Sequence, residues 1–226
     1  MVAMGHALSL LGPLAEVVFR NRFWMTWNLI LATIPLALAV PVFRHQGPRR
    51  AGWWLGLGLL VLFLPNAPYV VTDLVHLRGD VVDARTDMAV VGGVLPAYAA
   101  FVAAGFVIYA LVLREAGGFL RSEGLGRWRP VMEPAVHLAC AVSVLLGRVA
   151  RLNSWEPVTE PHTTAERVVS TLTWGWSPLA VVVLFVVIWA GHSLVRGTGR
   201  WALATLGTLG GWLRLVLMQG PQPGAL

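Results

Sequence analysis

Asp73, His76, Asp80, Asp83 and Asp87 follow one another at intervals of three, four, three and four residues. On a helix that spacing sets four carboxylates and an imidazole along one face. Asp73, His76 and Asp80 supply oxygen and nitrogen donors of the kind a divalent cation takes, with a second carboxylate to orient the other imidazole nitrogen. Asp73 and His76 are also the candidates for general acid–base chemistry, since they can share a proton. The plainer reading is a solvated face beside a membrane, where Asp and the nearby Arg78 and Arg85 are ordinary. Against it stand the regular spacing and the absence of Glu, Lys or Ser from that face.

A cationic stretch lies further on, in Gly147-Arg148-Val149-Ala150-Arg151-Leu152-Asn153-Ser154-Trp155-Glu156. Arg148 and Arg151, three apart, can clamp a phosphate or carboxylate, or can pair with Asp73 or Asp80 across a bundle mouth. Asn153 and Glu156 add polar groups, and Trp155 suits an interfacial anchor. Between Leu64 and Tyr69 the chain reads Pro65-Asn66-Ala67-Pro68. The prolines remove backbone donors and disfavour helix at Leu64 and Ala67. Broken backbone inside a membrane is tolerated only where protein buries it or a wet cavity receives it. Asn66 and Tyr69 therefore join the candidate ligand-binding set, the alternative being a kinked helix end. Glu133 and His137, four apart within an apolar run, form a separate ionisable pair.

The elements that carry these residues are dictated by composition. Of 226 residues, 57% are hydrophobic and 12% charged, where a soluble domain has about a quarter charged. The 17 basic residues are all arginine and sit mainly in the polar gaps between long apolar runs. A span needs about 20 apolar residues. Phe23–Phe43, Trp53–Val71, Met88–Leu113, Val131–Gly147 and Trp174–Val195 qualify, and Trp201–Met218 makes a weaker sixth. The fold expected is an all-α polytopic transmembrane bundle of about six spans. Residues 1–22 form an N-terminal apolar segment (a short span or an interfacial helix), 23–218 the bundle, and 219–226 a disordered tail. Small residues recur every four at Ala135/Ala139/Ser143/Gly147, Ala99/Ala103 and Gly207/Gly211, a spacing that suits close helix packing.

With six spans, the gaps 44–52, 114–130 and 196–200 share one side and hold nine arginines, which makes that side cytoplasmic. Segments 72–87 and 148–173 then share the other. The net charge of +6 reflects membrane flanks. A nucleic-acid reader would need a basic soluble face, and none exists here. Cys140, the single cysteine, excludes an intramolecular disulfide. No His-Glu-x-x-His, Gly-x-Ser-x-Gly, Walker or dinucleotide motif occurs. The excess of Arg, Ala, Gly, Pro and Trp over Lys, Ile and Asn fits a GC-rich bacterial genome, hence a bacterial plasma membrane.

Trp27 to Pro35 (WNLILATIP), Phe63 to Leu77 (FLPNAPYVVTDLVHL) and Gly147-Arg148 with Asn153-Ser154-Trp155 resemble the signatures of a bacterial multi-pass membrane family, domain of unknown function 1361. Where that family usually closes its last motif with Asp, this chain has Glu156, which keeps the charge and lengthens the reach. The resemblance implies an integral membrane protein of about six spans and no assigned activity. The residues themselves point to a polar site at the non-cytoplasmic interface, built from Asn66, Tyr69, Asp73, His76, Asp80, Arg148, Arg151, Asn153 and Glu156. Its ligand would be a divalent cation, held by Asp73, His76 and Asp80, or a phosphate-bearing lipid headgroup. An ion-coupled transporter using the Pro65–Pro68 break and Glu133/His137 is the alternative. A non-catalytic assembly partner is the third possibility. Whether the chain is an enzyme stays open.

Overall fold

The computed structural model describes the backbone of residues 2–84, 86–152 and 156–218, and the side chains of 12–84, 86–152, 156 and 158–198. Every regular element among them is helical: α1 Val2–Phe43, α2 Ala51–Phe63, α3 Asn66–Tyr69, α4 Leu77–Asp83, α5 Asp87–Ala89, α6 Leu95–Ser122, α7 Arg129–Leu145, α8 Glu156–Thr159, α9 Pro161–Thr173 and α10 Ser177–Met218. Five continuous helical runs are long and apolar enough to cross a membrane: Gly12–Phe43, Ala51–Asp83, Asp87–Ser122, Gly126–Ala150 and Ser177–Thr198. Helix α6 is central and packs against α1, α3 and α10, while α7 packs on α10. Tyr98, Phe101, Phe106 and Tyr109 of α6 meet Met25, Val70, Cys140 and Ile188 in the core. Phe23, Trp27, Leu55, Val61, Val131 and Trp189 face outward. An outer surface that apolar belongs in hydrocarbon.

Two expectations change. The weaker sixth span does not turn back as a helix of its own, because α10 runs unbroken from Ser177 through Trp201 to Met218. Helix α1 runs from Val2 through residue 22 to Phe43 and accommodates Pro13, Pro35 and Pro41. The small-residue rows Ala99/Ala103 and Ala135/Ala139 lie exposed rather than in a helix–helix seam. The buried face of α7 instead carries His137, Cys140, Ala141 and Val144. Gly147, the last residue of the α7 row, does pack closely, against Tyr69. Gly207/Gly211 and the tail 219–226 lie outside the described side chains.

The proline pair tightens its span without opening it. Leu64 and Pro65 keep helical dihedrals. Pro68 has no N–H for the Leu64 carbonyl, so the Ala67 N–H takes it at 3.2 Å. The Phe63 carbonyl thereby loses its usual donor and receives the Asn66 side-chain amide at 2.9 Å. The run continues as a 3₁₀ helix over Val70–His76 before α4. Thr72 bonds back to the Tyr69 carbonyl at 2.8 Å and does not cap a new helix. Gly105 makes room for this tightened passage: a Cβ there would stand 2.7 Å from the Ala67 carbonyl oxygen.

Charges gather at two rims. At one, Arg20 meets Asp80. At the other, Arg44 pairs with Glu115 at 2.8 Å, Arg49 with Glu123, and Glu133 takes both Arg129 and Arg196 at 2.7 Å. Those pairs join the gaps 44–52, 114–130 and 196–200 at one end. Glu115 holds the Arg44 guanidinium above its already high ordinary pKa through the hydrogen bond and the opposite charge.

Candidate functional site

The five-residue stripe divides as it meets α1. Residues 70–76 turn at the 3₁₀ pitch and 77–83 at the α pitch, so a spacing that suits one helix does not keep one face across both. Asp73 and Asp80 are buried, whereas His76, Asp83 and Asp87 are exposed. The Asp80 carboxylate accepts from Arg20 Nη2 at 2.7 Å, Asn21 Nδ2 at 2.6 Å and Tyr98 Oη at 2.9 Å. Asp73 Oδ2 accepts from Asn28 Nδ2 at 2.7 Å. Asn21 and Asn28 are seven apart on α1, and Asp73 and Asp80 are seven apart on the antiparallel run, so the two pairs form rungs of one ladder. The Asn21 side-chain Oδ1 in turn accepts from the Trp24 indole N–H at 2.9 Å. His76 lies against the Trp24 ring, centroids 5.0 Å apart.

This arrangement does not assemble the expected metal triad. Among the described residues no three His, Cys, Asp or Glu side chains converge as a cation site. The physical reason is donor competition: Asp80 already accepts three hydrogen bonds and a full positive charge, and His76 turns to an aromatic ring.

What the first rim does assemble is a pocket of about 150 Å³ between the tightened proline passage, the end of α7 and helix α9. Asn66, Tyr69, Ser143, Gly147, Leu152 and Thr164 are among its lining residues. Gly147 lets Tyr69 pack closely: a Cβ there would stand 3.2 Å from the tyrosine ring. Helix α7 ends in a π-helical turn, Leu146–Ala150, after which Arg151 takes a left-handed conformation (φ 52°). That region is uncommon for a residue with a Cβ. The Leu152 N–H reaches back to the Leu146 carbonyl at 3.4 Å and closes the turn.

Arg148 and Arg151 are both exposed on this turn. Among the described residues neither makes an ion pair, although the Arg148 guanidinium acts electrostatically on the Asp73 carboxylate. Glu156 is engaged by Arg167 at 3.4 Å, which ties α8 to α9. Asn153 lies outside the described residues, as do Ser154, Trp155 and Arg85. The structure thus brings Asn66 and Tyr69 together with the 146–152 turn, joins Asp73 and Asp80 to α1, and leaves His76 outside both groups.

Glu133 and His137 also part company. Glu133 is clamped by its two arginines at the second rim. His137 Nδ1 meets the Tyr109 hydroxyl at 2.7 Å, and its ring lies 5.0 Å from that of His192. Arg20, Asn21, Tyr98, Tyr109, His192 and Thr164 are partners that sequence reading did not place in these sites. The matched seven-residue spacing of Asn21/Asn28 and Asp73/Asp80 was the available signal for the ladder. Nothing local marks Tyr109, which finds His137 from another helix.

Fold and rim together define a helical polytopic membrane protein with a buried Asn–Asp ladder and a pocket beside the 146–152 turn. Within that class the chain belongs to the family described as Protein of unknown function (DUF1361), whose model matches residues 27–190. The resemblance carried by the 63–77 string is therefore family membership. No curated protein and no solved structure matches the chain.

Proposed function

We propose that the first rim binds a phosphate-bearing headgroup, with Arg148 and Arg151 countering the phosphate at the mouth of the pocket lined by Asn66, Tyr69 and Thr164. One observation carries this reading. The rim's two buried acids are neutralised from within, by Arg20, Asn21, Tyr98 and Asn28, while Arg148 and Arg151, exposed on the turn beside the pocket, have no ion-pair partner among the described residues. A site with spent carboxylates and unspent guanidiniums selects anions over cations, and guanidinium is the group best shaped for phosphate. The divalent-cation version of the site is correspondingly disfavoured.

The arginine count favours placing this rim outside the cytoplasm of a bacterial inner membrane. Because α10 does not turn back after Arg200, Arg214 is counted with the second rim. Nine gap arginines plus Arg214 give ten there, and the remaining seven of 17 belong to the first rim.

The test is native mass spectrometry of the detergent-purified protein with short-chain phosphatidic acid. Phospholipid adducts are expected on the parent chain and a roughly tenfold loss of them in the Arg148→Ala/Arg151→Ala double variant, about 1.4 kcal/mol of binding. Equal adduct formation in both proteins would overturn the reading. In parallel, Asp73→Asn and His76→Ala should leave Mn²⁺ and Zn²⁺ stoichiometry unchanged.

A second reading, an ion-coupled carrier, is favoured by the buried His137, His192 and Tyr109 group, since ionisable side chains inside spans mark pathways. It expects proteoliposome transport that Glu133→Gln abolishes and Asp73→Asn spares.

A further inference from the structure

The Thr164 side chain is the feature of the pocket that the phosphate reading leaves unused. Thr164 is 8% exposed, and its Oγ1 is a buried polar atom with no hydrogen-bond partner among the described residues. Buried hydroxyls are normally satisfied, so an orphan on a pocket wall points to a ligand group that completes it. The helix carrying it explains its position. α9 is amphipathic, and Thr164 and Val168, one turn apart, both turn to the pocket.

Charge narrows the ligand further. No Asp or Glu lines the pocket among the described residues, and the nearby Asp73 and Asp80 carboxylates are taken by α1 and Tyr98. An ammonium seated here would have no counter-ion, whereas a hydroxyl would meet Thr164, which both donates and accepts. Size agrees. A cavity of about 150 Å³ is of the order that takes benzene, a molecule of six heavy atoms, and glycerol has the same number. Resting on the phosphate reading above, we infer that the pocket seats the hydroxyl end of a small neutral polyol esterified to that phosphate, a glycerophosphate ester, with Thr164 as its hydrogen-bond partner. Selectivity then follows from two separable parts: the arginines select phosphate, and Thr164 selects what hangs from it.

The experiment titrates the detergent-purified full chain with four probes. These are dihexanoyl phosphatidylglycerol, phosphatidylethanolamine and phosphatidic acid, and soluble glycerol 1-phosphate. Phosphatidylglycerol should bind about fivefold more tightly than either of the other lipids, as one hydrogen bond allows. Thr164→Val, nearly isosteric, should erase that preference without changing phosphatidic acid binding, and Thr164→Ser should restore it. A purely structural hydroxyl would give the opposite pattern: equal or higher thermal stability in Thr164→Val with lipid selectivity untouched. Binding of glycerol 1-phosphate as strong as the lipid identifies a soluble ester as the source, and binding of the lipid alone identifies a membrane headgroup; both support the assignment. Equal affinities for all three lipids in parent and Thr164→Val overturn this inference while phosphate binding stands. Loss of any dependence on Arg148 and Arg151 overturns the phosphate reading itself.

Discussion

Asp80 joins more of the first rim than any other side chain described, because one carboxylate receives donors from two positions on α1 and one on α6. Its removal leaves Asn21 and Tyr98 with buried, unmatched donors. Asp80→Ala should therefore cost about 2–3 kcal/mol, the scale of hydrogen bonds to a charged acceptor. The Arg20 contribution is small because that side chain is 40% exposed and screened. Tyr98→Phe should cost about 1 kcal/mol, and Asp83→Ala, fully outside the network, within about 0.5 kcal/mol of zero. Urea or thermal unfolding in mild detergent separates the three. The sequence offered Asp73 and Asp80 either to a cation with His76 or to Arg148 and Arg151, whereas in the structure their hydrogen bonds go to Asn28 and to Arg20, Asn21 and Tyr98. The reason is that local spacing reports neighbours on one helix. Their actual partners lie 45 and 59 residues away, and only the matched intervals of two Asn and two Asp hint at them.

Among the elements, the passage from Pro65 to His76 is set as much by α6 as by its own prolines. Proline chemistry correctly marked the place where the hydrogen-bond ladder changes. It overstated the outcome, because Asn66 and the Ala67 N–H absorb the freed carbonyls and the chain stays helical. Gly105 is the tertiary half of that arrangement, since both Val70 and the Ala67 carbonyl crowd any Cβ there. Gly105→Ala should cost about 1–3 kcal/mol by overpacking, against little for Gly58→Ala, which has open space. A matched pair of thermal melts checks this. Gly93 repeats the logic at the π-helical turn Val90–Val94, where a Cβ would stand 2.8 Å from the Pro13 backbone, so Gly93→Ala should push α1 from α6. The unbroken α10 was illegible for a different reason. Arg196-Gly197-Thr198-Gly199-Arg200 has the polarity of a loop, yet no proline falls between Pro178 and Pro221 to end the helix.

The whole molecule is a bundle whose two rims differ in what their charges do. At the second rim arginines and glutamates pair with one another. At the first, Asp73 and Asp80 turn inward to α1, while Arg148 and Arg151 remain outward beside a pocket. Composition and apolar run length made the bundle legible, because hydrocarbon admits only helices and closed barrels, and uninterrupted apolar runs of about 20 residues select the helix. They could not reveal the pocket, which exists only where α3, the α7 terminus and α9 converge. The central claim is that residues 65–83 and 146–173 share that rim. It is tested most directly by single cysteines in a Cys140→Ser background, probed on intact cells with a membrane-impermeant maleimide. Val82 and Val158, each 75% exposed, report the first rim, and His45 and Leu125 the second. Val82→Cys and Val158→Cys should both label from outside, with His45→Cys and Leu125→Cys labelled only after permeabilisation. Labelling of Val82→Cys and Val158→Cys from opposite sides would contradict the account.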